Sequence, residues 1–281
     1  MRLYSQSNLT PTPLAYYTQF RQSLSVQPVM NSHFVKVGEL LRNARRVLFI
    51  TGAGVSAESL IPTFRGATAA FADGMTEDGV PFEEVLSGET LMTNPKLCWK
   101  YLFILESSIR GKVPNPAHQA MAALQTPNRS VYVATQNIDE LHQRAGSQNV
   151  FELHGNLRRI ICTNCGYSVH LETFESLAKL PHCPQCDSIL RPDVVLYGES
   201  LPLNVLDTFQ SEQKKGFDLV FSIGTTSLFF YVIEPVVAAA RQGIPMVEIN
   251  PETTPISDLA DFRFAGPAGQ ALQKLVEAAI S

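Results

Sequence analysis

The sequence predicts an α/β fold, a doubly wound parallel sheet with a smaller metal-binding domain inserted into it. Three observations carry this expectation. Apolar runs at 45–51, 131–135, 218–223 and 245–249 alternate with segments of helical spacing. Each run ends in a glycine, hydroxyl or amide cluster, at 52–57, 136–139, 224–227 and 250. Between 159 and 190 the rhythm is broken by two Cys-x2-Cys pairs. Parallel strands separated by helices bring such ends to one crevice at the carboxyl edge of the sheet.

Composition narrows the function classes. The chain has 281 residues, 45% hydrophobic and 17% charged, which suits a large domain with a smaller one inserted and argues against disorder. A formal net charge of -4 speaks against nucleic-acid binding as a general role. No apolar run reaches the ~18 residues that a membrane helix needs. Nothing in the composition fixes the oligomeric state, and a monomer is compatible with it. The first acidic residue is Glu39, preceded by Arg2, Arg21 and Lys36; this acid-poor head reads as an extension of the chain, with only weak support for a transit peptide.

Taken in order, residues 35–44 have helical spacing, and 45–51 (RRVLFIT) read as a buried strand. That strand runs into Gly52-Ala53-Gly54-Val55-Ser56-Ala57. Such a turn lets backbone N–H groups approach a pyrophosphate at a helix start; it is equally readable as a tight corner between strand and helix. No acidic residue closes a second strand about 20 positions on, as a standard dinucleotide fingerprint requires. Instead come Phe64 and Arg65, which suggest an aromatic lid and a cationic contact. Residues 66–93 carry scattered glycines and little periodicity, as a mobile cover would.

Residues 94–110 then predict a helix, with Asn94 as cap and Pro95 in the first position; its middle, Trp99 to Leu105, is apolar almost all round. A short helix is expected at 116–125. The strand at 131–135 delivers Gln136, Asn137, Ile138 and Asp139, and a second short apolar run delivers His154, 15 residues after Asp139.

Cys162 and Cys165 form one Cys-x2-Cys pair and Cys183 and Cys186 the other, 17 residues apart. Two such knuckles complete a tetrahedron of thiolates, the spacing of structural zinc in a reducing, cytoplasmic setting. Four cysteine ligands leave no position for a catalytic water. His170 and His182 read as surface histidines, and Cys98 stands alone. Residues 191–199 (RPDVVLYGE) read either as an edge that pairs with an extended peptide or as an ordinary loop. Residues 228–242 predict a helix interrupted near Pro235, and Gly266-Pro267-Ala268-Gly269 leads into a terminal helix. A dinucleotide is the ligand whose length fits the row of polar strand ends; no phosphate-binding GxxxxGK[ST] loop is present.

These motifs, in this order, resemble the sirtuins, NAD-dependent protein-lysine deacylases, of the bacterial type. The matching segments are TGAGVSAESLIPTFRG (51–66), TQNIDELHQRAG (135–146), ELHG (152–155), the cysteine pairs, RPDVVLYGE (191–199), GTTS (224–227), IN (249–250) and GPA (266–268). The resemblance runs from about 37 to 279. It implies a Rossmann-like NAD-binding domain from 35–156 and 192–281, a cofactor-binding loop at about 66–93, a zinc-ribbon domain at 157–191, and an uncovered extension at 1–34.

The resemblance also implies residue roles. NAD as co-substrate would meet Gly52, Ala53, Gly54, Ser56, Phe64 and Arg65 on one side and Gly224, Thr225, Ser227, Asn250 and Ala268 on the other. Gln136, Asn137, Ile138 and Asp139 would hold the nicotinamide, with Asn137 and Asp139 assisting catalysis. His154 would be the base that takes a proton from a ribose hydroxyl, a task suited to an imidazole that ordinarily titrates near about 6.5. Val195, Leu196, Tyr197, Gly198 and Glu199 would sandwich an acyl-lysine protein or peptide substrate as a strand. One structural zinc would sit on the four cysteines.

Two departures stand out. Leu60 occupies the place where the family has glycine before Ile-Pro, and a positive φ there would strain it. Sirtuins that remove acidic acyl groups carry Tyr and Arg three apart, and the corresponding positions here are Leu102 and Leu105. The expected acyl groups are therefore neutral: acetyl, or longer aliphatic chains. An ADP-ribosyltransferase using the same NAD site is the alternative activity.

Overall fold

A computed structural model describes residues 32–63 and 74–280 of the chain. Phe64, Arg65 and the start of the expected cofactor-binding loop, like the head up to residue 31, lie outside the described residues.

In chain order the large sheet receives β1 (Arg46–Thr51), β2 (Ser130–Thr135), β3 (Asn149–Glu152), then, after three strands of a separate sheet, β7 (Leu219–Ile223), β8 (Met246–Ile249) and β9 (Phe262–Phe264). Their spatial order is β3-β2-β1-β7-β8-β9, and every neighbouring pair is parallel. The chain steps outward from β1 to β3, returns, and steps outward again from β7 to β9. The switch point therefore falls between β1 and β7, where a parallel sheet opens its binding crevice.

The sheet is covered on both faces because alternate residues of β1 face opposite ways. Val47 and Phe49 belong to a core shared with helix α1 (residues 32–43), α5 (Pro116–Ala123) and α9 (Ala268–Ile280). Leu48 and Ile50 belong to a second core, shared with α7 (Leu203–Lys214) and α8 (Phe230–Arg241). Phe49 stacks on Phe221 of β7 with ring centroids 4.6 Å apart. Emptying such a site to alanine typically costs about 3–5 kcal/mol.

Local signals behave largely as expected. Asn94 caps α4 (Pro95–Ile109), its side chain accepting from Leu97 N–H, with Pro95 in the first turn. Asn115 and His118 form a reciprocal capping box at α5. The interruption expected near Pro235 is not a break, since α8 runs continuously through it; what proline removes is one backbone hydrogen bond. The described part of the 66–93 segment is more regular than expected, with short helices α2 (Phe82–Val85) and α3 (Gly88–Thr93). After Asp139 the chain makes the single helical turn α6 (Leu141–Arg144) before β3.

The small sheet orders β5 (Ser168–His170), β4 (Gly155–Cys162) and β6 (Leu190–Val194), all antiparallel. Its apolar side merges with Phe82, Leu86, Trp99, Leu102 and Leu105 into one cluster. The Trp99 indole donates to the Leu190 carbonyl at 2.9 Å, stapling α4 to β6. The cluster under the cysteine knuckles thus reaches well beyond 157–191, taking in residues of α2, α3 and α4. No helix of the described residues is long and apolar enough to cross a membrane.

Leu60 has φ 60 and ψ 32, the left-handed region, at the end of a 3-10 helix (Ala53–Ser59). Its side chain is 76% exposed, so it gains little burial in return for the strain. Leu60→Gly is expected to raise unfolding stability in urea by about 0.5–1 kcal/mol, the left-handed penalty less the extra backbone entropy of glycine. A destabilised variant would show that the Leu side chain is making a contact worth more than its strain.

Candidate active site

The carboxyl ends of the parallel strands open into a crevice of about 1220 Å³. Gly52, Ala53 and Gly54 line it from β1, Gln136, Asn137 and Ile138 from β2, and His154 from the corner after β3. Gly224, Thr225, Asn250 and Ala268 line the other half of the same edge.

The two halves meet where the β1 and β7 turns touch. Gly52 N–H donates to Ile223 and Gly54 N–H to Gly224, at 3.1 and 2.8 Å. A Cβ on Gly54 would stand 2.7 Å from Gly224 Cα, and one on Gly224 would collide with Val55 N. The glycines are required by backbone-to-backbone contact across the switch point. Those two N–H groups are therefore already used, and the turn continues as 3-10 rather than α helix.

Thr225 is the hub of the second half. Its hydroxyl accepts from Gln136 Nε2 at 2.8 Å and from Ser227 N–H at 3.1 Å, while Asn250 Nδ2 donates to its carbonyl at 2.8 Å. Ser227 does not line the crevice surface: it is fully buried, its φ is 50, and its hydroxyl has no partner. Backbone strain together with an unsatisfied buried hydroxyl is uncommon in a folded interior and clusters near functional sites. At the far end, Glu58 accepts the Gly269 N–H at the start of α9, 2.6 Å, beside Ala268.

Ser56 and Asp139 also sit behind the crevice wall rather than on it. Asn137 Nδ2 donates to Ser56 Oγ at 3.0 Å, and Ser56 donates to Asp139 Oδ2 at 2.7 Å. The other Asp139 oxygen accepts Leu141 N–H at 2.9 Å. Burial raises the Asp139 carboxyl above its ordinary range, and the Ser56 and Leu141 hydrogen bonds act against that rise. The chain orients the Asn137 amide from behind. Beneath it lie two buried histidines, His118 near Ser56 at 3.5 Å and His142 on Thr51 at 3.0 Å, their rings 4.8 Å apart. Burial pushes His118 down to about 4 and His142 well below its ordinary value.

His154 is half-buried, and burial pushes it down to about 4, with a backbone hydrogen bond to Gln136 acting the other way. It is thus neutral at physiological pH, as a base must be. Its Nε2 lies 2.5 Å from Tyr231 Oη. Sequence reasoning missed Tyr231 and Phe229; the signal was their position just after the 224–227 strand end, a placement only the fold turns toward His154.

The opposite wall is residues 195–199. Val195 N–H donates to the His154 carbonyl, and Tyr197 pairs through its N–H and carbonyl with Leu86 and Gly88. One edge of this segment is thereby taken. Glu199 folds back to Arg191 (2.5 and 2.8 Å) and accepts Leu196 N–H at 2.9 Å. Burial disfavours its charge, but the Arg191 and Leu196 hydrogen bonds prevail and hold it below the ordinary carboxyl range. Glu199 therefore shapes the turn around Gly198, whose φ is 81. Leu102 and Leu105 of α4 line the crevice behind this wall, both buried.

Away from the crevice, the Sγ atoms of Cys162, Cys165, Cys183 and Cys186 all lie within 4.8 Å of one another. The Cys162–Cys186 and Cys165–Cys183 distances are 3.5 and 3.6 Å, close to the edge of about 3.8 Å of a tetrahedron with Zn–S bonds near 2.3 Å. N–H groups of Asn164, Cys165 and Gln185 point at the sulfurs, as knuckles supply them. The set fits one structural zinc. His182 is turned to the Asp187 carbonyl and His170 to Glu140. Buried Cys98 is pushed up to about 12 by its burial and is unreactive.

A doubly wound parallel sheet with its polar groups gathered at the switch point defines a nucleotide-binding α/β enzyme. A family model described as Sir2 family matches residues 52–230. The chain is 41% identical over 252 residues to NAD-dependent protein deacylase 2 of Pseudomonas aeruginosa, covering 88% of this chain and 98% of that protein. It is 41% identical over 250 residues to the NAD-dependent protein deacylase of Pyrococcus furiosus, covering 86% and 96%. A solved Sir2 homologue–NAD complex superposes with a TM-score of 0.77 at 34% identity, covering 87% of this chain and 93% of that one. A Sir2–p53 peptide–NAD+ structure superposes with a TM-score of 0.72 at 28% identity, covering 86% and 97%. The chain belongs to the Sir2 family.

Two outcomes follow from this geometry. Purified protein should carry about one zinc per chain by elemental analysis, and Cys183→Ser should lose it together with the stability of the small sheet; full stability after chelation would contradict a structural role. Histidines in an unfolded chain titrate near about 6.5, above folded His118 and His142, so the unfolded state binds more protons below that pH. Stability should therefore fall from pH 6.5 toward 5, by about 1.4 kcal/mol per pH unit for each histidine. His118→Gln should remove one such increment from the slope of urea-unfolding free energy against pH; an identical slope would contradict the burial argument.

Proposed function

We infer that this protein removes acyl groups from lysine side chains of proteins, with NAD as co-substrate and nicotinamide as a product. The observation that carries the reading is the placement of His154. It is a neutral imidazole on the crevice, between the amide cluster at 136–138 and the 195–199 wall. Relatives named NAD-dependent protein deacylase, matched over nearly their whole length, support the same activity.

The residues fit NAD. The crevice of about 1220 Å³ is large enough for a dinucleotide together with a lysine side chain, and the unpartnered Ser227 hydroxyl sits behind its phosphate half. NAD supplies the ribose carbon that takes up the acyl oxygen and the hydroxyl that later loses a proton. The chain's own residues bind and orient. Asn137, held by Ser56 and Asp139, presents a fixed amide to the nicotinamide side. Gln136 is fixed by Thr225, linking that side to the phosphate side. His154 Nε2 receives the ribose hydroxyl proton. Phe82, Leu86, Leu102 and Leu105 exclude water around the acyl chain.

The acyl group is neutral in this reading. An acidic acyl chain would bring a carboxylate against Leu102 and Leu105, and desolvating an unpaired charge costs several kcal/mol. A panel of acetyl-, longer aliphatic acyl- and succinyl-lysine peptides with NAD tests it, scored by mass spectrometry for nicotinamide and acyl-ADP-ribose. Neutral acyl peptides should turn over at least ~100-fold faster than succinyl, in line with that cost. His154→Ala should lower kcat ~10²–10⁴-fold while NAD still binds. Efficient desuccinylation would overturn the acyl assignment. ADP-ribosylated protein without acyl-ADP-ribose would replace deacylation by ADP-ribosyl transfer.

A further inference from the structure

This inference rests on His154 being the base. A neutral imidazole carries one N–H and one lone pair, the latter in the ring plane on the other nitrogen. The ring makes a hydrogen bond to the backbone of Gln136, which takes its N–H. Nε2 then presents the lone pair, and the Tyr231 hydroxyl, 2.5 Å away, donates to it. A ribose hydroxyl that must give its proton to Nε2 meets a nitrogen whose single acceptor position is occupied. Both donors cannot use it at once.

Tyr231 is held over the base by a second ring. Phe229 stacks on it, with centroids 5.5 Å apart and planes 14° from parallel, and stands edge-on to His154 at 6.4 Å. Yet the turn that carries both rings lacks some of the usual fastenings of a helix start. Phe229 provides no capping side chain. Pro235 has no N–H to give the Tyr231 carbonyl four residues earlier, which removes a helical hydrogen bond at that residue. Leu228, Phe229 and Phe230 are all exposed, so the turn is fastened by little burial.

We propose that Tyr231 is a positioning residue that gates the base: its hydroxyl competes with the ribose hydroxyl for His154 Nε2 and must turn away before proton transfer. In the step itself the ribose O–H bond breaks, an N–H bond forms on Nε2, and Tyr231 keeps its own proton. Burial lifts that phenol to about 12, so it is no base at neutral pH. Other titratable groups stand on the neighbouring elements. Tyr197 faces Tyr231 from the 195–199 wall, Glu199 is tied to Arg191, Glu152 to Gln143 and Asn156, and Asp139 lies behind the amide cluster.

Tyr231→Phe tests the gate with an acetyl-lysine peptide and NAD. It keeps the ring that stacks on Phe229 and removes only the competing donor. The expected result is a rise of roughly fivefold in kcat/KM, chiefly through KM, the size of one ordinary hydrogen bond. The acid limb of the kcat/KM profile, which reports the free enzyme, should move to higher pH, because the donor that favours neutral His154 is gone; the limb of kcat should not move with it. A hundredfold fall in kcat at constant KM would overturn the gate and make the hydroxyl a proton relay. Constants and acid limb that stay put would also overturn it. A second measurement needs no variant: in histidine-15N-labelled protein, the His154 Nε2 resonance should lose its tyrosine hydrogen-bond shift on adding ADP-ribose and acetyl-lysine peptide, and an unmoved resonance contradicts the gate. Failure of the underlying reading is distinct, since His154→Ala would then remain active.

Discussion

The contact on which the rest depends is the one between two turns, Gly52–Gly54 after β1 and Gly224 after β7. It is a backbone-to-backbone contact, closed by the Gly54 N–H to Gly224 carbonyl bond at 2.8 Å and too tight for any Cβ. It lies at the switch point, where the chain stops adding strands on one side of β1 and starts on the other. Because the turns are locked together, the groups each half delivers keep a fixed spacing. Gln136 reaching Thr225 is a consequence of that lock, since it spans the same seam, while Asn250 after β8 holds the Thr225 carbonyl from the β7 side. A row of polar strand ends becomes one site only if the strands cannot shift against each other.

Behind the site, polar side chains are buried in an order that trades stability for placement. An aspartate at Asp139's depth resists ionisation, and two donors aimed at it counter that cost. The return is a fixed amide at Asn137. His118 and His142 fill the space beneath as neutral rings, which makes the same region sensitive to acid. Ser227 carries the opposite sign: its buried hydroxyl has no partner and its backbone is strained, a cost with no compensating hydrogen bond among the described residues.

The crevice has two walls of different origin. One is the sheet edge. The other is built from α2 to α4, the 195–199 turn and the zinc-supported sheet, all sharing one apolar cluster. The four cysteines lie outside the crevice lining, so the metal acts on the chemistry only by holding β4 and β6 in place. His154 stands at the joint: its own carbonyl accepts from Val195, and the residue after it, Gly155, begins β4. His154 is therefore positioned by both walls at once, and Tyr231 meets it from a third element.

Much of this was legible in the sequence, and for a physical reason: periodicity, strand ends and cysteine spacing are local. The strands around 45–51, 131–135, 218–223 and 245–249, the caps at Asn94 and the knuckles at Cys162 to Cys186 are each decided by neighbouring residues. So is the gathering of Gln136, His154, Thr225 and Asn250 on one edge, once the strands are parallel. Tertiary structure alone decided what each group then does. The glycines after β1 read in sequence either as a phosphate cradle or as a tight corner, and the fold spends the Gly52 N–H on the Ile223 carbonyl and the Gly54 N–H on that of Gly224. Ser56 and Asp139 read as cofactor contacts, yet they stand behind the surface and act through Asn137. Glu199 read as part of the peptide wall, and its carboxylate is spent on Arg191 and the turn. The Tyr231–His154 pair spans 77 residues and leaves no trace in local pattern, because only the return of the chain across the switch point brings α8 over His154.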